Sequence, residues 1–144
     1  MGTLRDGRAV ELRGAAPGDV EALEALRAPD PRPHELAGAH VTVAQLAGTP
    51  VPVGYGAWFA SGDFVCAVQE ELRGKGLGTM LLRNAAREAG ANGVQTLSVE
   101  LPTGAHGLAA MLRDCGLVSF WDLDHPVARV QLVVGAMRPG WATP

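Results

Sequence analysis

The sequence predicts an α/β (α+β) protein: one mixed, mostly antiparallel sheet of six to seven strands, flanked by helices. Short runs place apolar residues at strand period, two longer runs place them at helical period, and glycine or proline turns separate the runs. The longer helical run lies between two strand-like runs and is of crossover length, so those two strands can be parallel neighbours. With 144 residues the chain can bury a core but is short for two ordinary domains, so residues 1–144 read as a single domain.

Along the chain, "RAVELRGA" alternates well enough for a first strand, and "PGDVEALEALR" follows with Val20, Leu23 and Leu26 at helical spacing behind Asp19. In "ALRAPDPRPHELAG", Pro29, Pro31 and Pro33 forbid a regular element, so the stretch reads as an internal loop. "AHVTVAQLA", "VPVGYGAWFA" and "FVCAVQ" are three strand-like runs joined by "GTP" and "SGD", which suits an antiparallel meander. From Leu77, residues Met80, Leu81, Ala85 and Ala89 share one helical face while Arg83, Arg87 and Glu88 fall on the other, and "GANG" ends the pattern. "VQTLSVEL" reads as a buried strand. Leu108, Met111, Leu112 and Cys115 then mark a second amphipathic helix that Gly116 is placed to end. "GLVSFWDL" and "VARVQLVV", around "DHP", close the chain as a hairpin whose Val130, Leu132 and Val134 read as core.

Composition narrows the function classes. An apolar fraction of 47%, a charged fraction of 19% and a net charge of −3 fit a soluble globular protein with no basic field for nucleic acid. No run approaches the roughly 20 apolar residues that span a bilayer, and "MGTLRDGRAV" lacks an apolar signal core, so the expected location is the cytoplasm and no membrane partner is expected. Cys66 and Cys115 have no His or Cys at ligand spacing beside them, which predicts buried thiols rather than a metal site.

The chemistry-bearing stretch is "EELRGKGLGTMLLRNAA". It follows a strand, carries Gly74, Gly76 and Gly78, includes the only lysine of the chain, Lys75, and opens a helix. A helix N-terminus exposes unpaired N–H groups, and glycines let a diphosphate approach the backbone, so the stretch predicts an anion cradle. A P-loop would need Ser or Thr directly after the lysine, where Gly76 stands. A dinucleotide fingerprint would need G-x-G-x-x-G after a Rossmann start, and neither is present.

What does match is R-x-x-G-x-G, as Arg73, Gly76 and Gly78. It resembles the Q/R-x-x-G-x-G/A acyl-CoA loop of the GNAT superfamily of N-acetyltransferases. The flanking strand, acidic pair and Leu-rich helix are similar too, although Glu70 stands where that family commonly has Pro, and the resemblance runs from about Val10 to Val134. It implies a GNAT-like acyl-CoA N-acyltransferase fold with a V-shaped opening between the strand ending near Gln69 and the strand ending near Leu101. The pantetheine arm of acetyl-CoA would pair with backbone around Cys66, Ala67 and Val68, and its diphosphate would meet amides from Arg73, Gly74, Lys75, Gly76, Leu77, Gly78 and Thr79. Acetyl-CoA would be a co-substrate, with no metal; the resemblance also leaves a homodimer open.

Transfer to an amine needs a proton acceptor and a proton for the departing thiolate. Glu70, Glu71, Glu100, His106 and Tyr55 are candidates near the opening, and Glu100 is preferred, with Tyr55 as the other catalytic choice. The family's usual acid is a Tyr four residues before the Gly of a G-F pair. Here Gly116-Leu117 occupies that pair and Leu112 stands at the Tyr position, while Ala105 lies near the position of the Asn often found at that helix's start. The expected function is acetyl transfer from acetyl-CoA to a primary amine; the alternative is a non-catalytic acyl-CoA-binding regulatory module. The resemblance puts the acceptor site beside "APDPRPHELAG" and "DLDHPVAR", where Asp30, Glu35, Asp122 and Asp124 could hold a cationic amine.

Overall fold

The computed structural model describes residues 2–19, 22–23, 38–49, 51–72, 74–101, 106–123 and 128–134. The strands are β1 (Gly2–Thr3), β2 (Ala9–Gly14), β3 (His40–Leu46), β4 (Pro52–Trp58), β5 (Phe64–Val68), β6 (Thr96–Leu101), β7 (Ser119–Asp122) and β8 (Ala128–Val133). The helices are α1 (Leu77–Ala91) and α2 (His106–Asp114), and Ala22 and Leu23 also have helical backbone. The proline-rich stretch, most of the first expected helix and the "DHP" turn fall outside the described residues.

Hydrogen bonding divides the strands into a five-stranded antiparallel ladder, β1-β2-β3-β4-β5, and a three-stranded one, β6-β8-β7. The mostly antiparallel α+β class holds, but the single continuous sheet is interrupted. β5 and β6, expected as parallel neighbours, meet at one parallel bridge, Asp63 with Ser98, where the Ser98 N–H donates to the Gly62 carbonyl at 2.7 Å. The two-residue β1 is an addition that periodicity could not reveal, because two residues carry no period.

α1 lies on one face of the larger sheet because the sheet is nearly flat beneath it. Gly54 and Gly56 of β4 face the helix, and a Cβ on either would stand 3.2 Å from Leu77 or Leu81. A methyl group at Gly56 should cost about 1–3 kcal/mol through overpacking. Leu77, Leu81, Leu82, Ala85, Ala86 and Ala89 are buried along the helix. The opposite face carries Val43, Tyr55 and Ala57, packed with Leu23. The second ladder turns Leu97, Val99, Val130 and Leu132 inward against α1 and α2, where Leu112 and Cys115 complete the core, and Val134 is buried as expected.

The outward placement of Glu88 is corrected. Its carboxylate accepts from Trp58 Nε1–H at 3.4 Å and from Asn84 Nδ2–H at 2.9 Å, with the Thr42 hydroxyl at 3.5 Å. The buried Trp58 indole and Thr42 give the carboxylate partners beneath the helix, and a count of apolar positions does not register such a partner.

Candidate functional site

The candidate site begins where the two ladders part. Phe59 N–H donates to the Asp63 carbonyl at 3.0 Å and Gln69 N–H to the Val53 carbonyl at 2.8 Å, so residues 63, 65, 67 and 69 hydrogen-bond toward β4. By the alternation of an antiparallel ladder, Phe64, Cys66 and Val68 turn their N–H and C=O groups to the other edge, toward β6. Beyond the Asp63–Ser98 bridge, β5 and β6 form no ladder, and a gap opens along Cys66 and Val68. Ala67, grouped with them by sequence, has its backbone directed to Tyr55 of β4. The Cys66 thiol points away from solvent into the α1 side of the core, and burial pushes its pKa up to about 11. A thiol held neutral in this way is a packing group rather than a nucleophile.

At the end of β5 a short turn, Glu70–Leu72, leads into the glycine loop. The three glycines serve different ends. Gly74 (φ +77°) and Gly76 (φ +95°) are left-handed, a backbone that side-chain-bearing residues rarely adopt. Gly78 has room for no Cβ, since one there would sit 2.6 Å from the Met111 sulfur of α2. Gly76 is the N-cap of α1 and supplies no side-chain hydrogen bond to the first turn. Its carbonyl takes the Met80 N–H at 3.2 Å, and the amides of Leu77, Gly78 and Thr79 lie in the first turn, where a helix has no carbonyls of its own for its N–H groups. The Leu77 side chain is buried, so only its backbone serves the loop. Arg73 lies outside the described residues.

Arg5, which nothing in its local sequence marks, also belongs to this loop. Its N–H donates to the Lys75 carbonyl at 2.9 Å, and its Nη1 donates to the Gly74 carbonyl at 3.2 Å. It is delivered by the connection between β1 and β2. Asp6 in the same connection is ion-paired with Arg8, whose guanidinium holds the Asp6 carboxyl below its ordinary value, with Lys75 contributing weakly.

The catalytic candidates occupy the sheet face opposite α1. Glu100 on β6 sits across from Arg129 on β8, whose Nη2 donates to Glu100 Oε1 at 3.2 Å and whose Nη1 reaches Ser98 Oγ at 3.3 Å. Asp63 lies 3.9 Å from the same guanidinium, so the charged cluster stands at the vertex where the ladders join. Tyr55 is 1% exposed, two strands away from Glu100 across the sheet, on the same face. Glu71 is exposed in the turn before the loop. Leu112, at 1% exposure, is core. Of the four acids considered for an acceptor site, Asp122 is exposed on β7 and Asp30, Glu35 and Asp124 lie outside the described residues, as does Ala105. Among the described residues no group of His, Cys, Asp and Glu is arranged to hold a metal ion. A cleft of about 490 Å³ lies at the far end of α1 against His40, Trp58, Ser61 and Asn92, and none of the expected site residues lines it.

The profile of the Acetyltransferase (GNAT) family matches residues 12–117, which takes in the gap, the glycine loop and both helices. The chain belongs to the GNAT acetyltransferase family. Solved structures with the same fold include the GNAT domain of S. lividans PAT, at TM-score 0.71 and 17% identity over 90% of this chain and 93% of that one. Another is yncA from Salmonella typhimurium with its cofactor acetyl-CoA, at TM-score 0.67 and 16% identity over 86% and 92% of the two chains. The cAMP-binding acyltransferase from Mycobacterium smegmatis matches at TM-score 0.69 and 19% identity over 98% of this chain. The GNAT chain spans about half (50%) of that longer protein. No curated protein sequence matches the chain. No helix among the described residues is long and apolar enough to cross a membrane, which leaves β-barrels unaddressed.

Proposed function

We propose that this GNAT chain is an N-acetyltransferase, working as a single domain, that moves an acetyl group from acetyl-CoA to a primary amine. The observation that carries the reading is the left-handed Gly76 at the head of α1, a cap without a side chain beside an unladdered strand edge. A helix built for stability alone would gain about 1 kcal/mol from Ser, Thr, Asp or Asn at that position. The residues fit acyl-CoA: the Cys66 edge suits the amide-bearing pantetheine arm, and the first-turn amides with Gly74 and Lys75 suit the diphosphate.

In the transfer, an amine nitrogen bonds to the thioester carbonyl carbon, the C–S bond breaks, and the proton lost by nitrogen is returned to the departing sulfur. A primary amine is mostly protonated at neutral pH and must shed a proton first. Glu100 is the proposed acceptor, on the face away from α1, with Arg129 fixing its Oε1. Tyr55 is the second candidate for proton transfer; its burial on that face requires a route through Ala67 and the β5 edge. One observation favours the non-catalytic acyl-CoA-binding module: Leu112 is packed in the core and offers no acid where the resemblance puts Tyr.

Thermal stabilisation by acetyl-CoA, measured beside CoA release with a panel of amines, separates the readings. Saturation at roughly 100-fold over Kd should add about 2.7 kcal/mol to stability. Binding with amine-dependent release supports the enzyme, and binding without release across the panel supports the module. Absence of binding rejects both.

A further inference from the structure

We infer that Arg5 is a specificity residue for the nucleotide end of CoA, taking the 3′-phosphate; the inference rests on the acyl-CoA reading above. The order of groups in space supports it. CoA is linear in its recognition groups: pantetheine, then diphosphate, then the ribose with its 3′-phosphate. The gap between β5 and β6 lies at one edge of the five-stranded ladder, and β1 is the opposite edge. Between them, α1 sets its first turn over the interior strands, with Leu77 and Leu81 packed among Val10, Ala44 and Val53. The connection from β1 to β2 then brings Arg5 against the loop from the side opposite the gap. A ligand that starts at Cys66 and crosses the first turn of α1 therefore ends at Arg5.

The charge arrangement suits a phosphate there. Asp6 is matched by Arg8, so among the described residues of this connection and the loop, Arg5 and Lys75 carry the remaining positive charge. Arg5 places one Nη1 hydrogen on the Gly74 carbonyl at 3.2 Å, and its exposed guanidinium has five N–H donors in all. Its Nε lies 3.9 Å from where a Gly76 Cβ would stand, so the guanidinium flanks the cap itself. The carbonyl bond presets the side chain, which lowers the ordering cost of a bidentate grip on phosphate.

The test compares CoA with dephospho-CoA, which lacks only the 3′-phosphate, by titration calorimetry on the wild type, Arg5→Ala and Arg5→Lys. The wild type should bind CoA about tenfold or more tighter than dephospho-CoA, as expected for a charged hydrogen bond. Arg5→Ala should bind both at the wild-type dephospho-CoA level, and Arg5→Lys should restore part of the difference. Equal weakening of both ligands in Arg5→Ala would make Arg5 a brace of the loop and overturn the inference. So would a wild type that binds the two equally, a result that needs no variant to fold. Both of those outcomes leave the acyl-CoA reading standing, whereas a wild type that binds neither ligand removes it and the inference together.

Discussion

The two ends of α1 are built on opposite principles. At the C-terminal end the last carbonyls are satisfied: the Asn92 N–H serves Glu88 and Ala89 at 3.1 and 3.0 Å, and the Asn92 side chain adds a bond to the Glu88 carbonyl at 2.7 Å. The left-handed Gly93 follows, and the Glu88 side chain is tied down to Trp58 and Asn84. At the N-terminal end the cap is Gly76, with no side-chain bond to the first turn. One end holds the helix to the sheet; the other keeps its backbone donors accessible for a ligand. Function at this site therefore resides in a withheld side chain, and its measurable sign is a mutation that damages binding more than stability.

The largest effect should come from Gly76→Val. A β-branched residue in a left-handed conformation costs about 1–2 kcal/mol and reshapes the loop, so acetyl-CoA affinity should fall on the order of 100-fold by calorimetry. Glu88→Ala should do the reverse. It leaves the Trp58 and Asn84 donors without this acceptor and should lower unfolding free energy in denaturant by about 2 kcal/mol, while acetyl-CoA affinity stays at the wild-type value.

A control remote from both helix ends is Asp19, where Arg13 donates to both carboxylate oxygens at 2.8 Å and the Ala16 N–H adds a bond at 2.7 Å. These bonds, the Arg13 side chain first, lower its pKa from 3.8 to about 2. The depressed value means that the stabilisation is fully present above about pH 4 and is lost as pH falls toward 2. Asp19→Asn should remove that part of the acid sensitivity in melts taken between those pH values, and cost about 1 kcal/mol at pH 7. The smallest effect should come from Lys75→Ala. Backbone amides do most of the proposed binding, so a partly exposed lysine should be worth about 0.5 kcal/mol, seen as an affinity loss near twofold.

Much of this contrast was legible before any coordinates. Gly74, Gly76 and Gly78 ahead of a Leu-rich amphipathic run announce a helix start with an accessible backbone, and the start falls at Leu77 as read. The meander was equally legible, because turns of Gly, Pro, Asp and Ser punctuate its alternating strands. What stayed hidden depends on distant register. Arg5 reaches Gly74 across 69 positions, and Glu100 meets Arg129 across 29, so no local window contains either pair. Glu88 was misread because helical periodicity sorts residues by polarity, while a buried indole N–H turns a charged residue inward. The interruption between β5 and β6 was hidden for a related reason: apolar runs report that strands are buried, and one bridge at Asp63 and Ser98 looks in sequence like a full ladder.

The most direct test is calorimetric titration of acetyl-CoA into wild type, Gly76→Val and Glu88→Ala, with the fold of each checked by far-ultraviolet circular dichroism. A roughly 100-fold loss for Gly76→Val beside an unchanged Glu88→Ala is the expected pattern. A folded Gly76→Val that binds acetyl-CoA as tightly as the wild type would contradict the claim that the uncapped head of α1 is the CoA site.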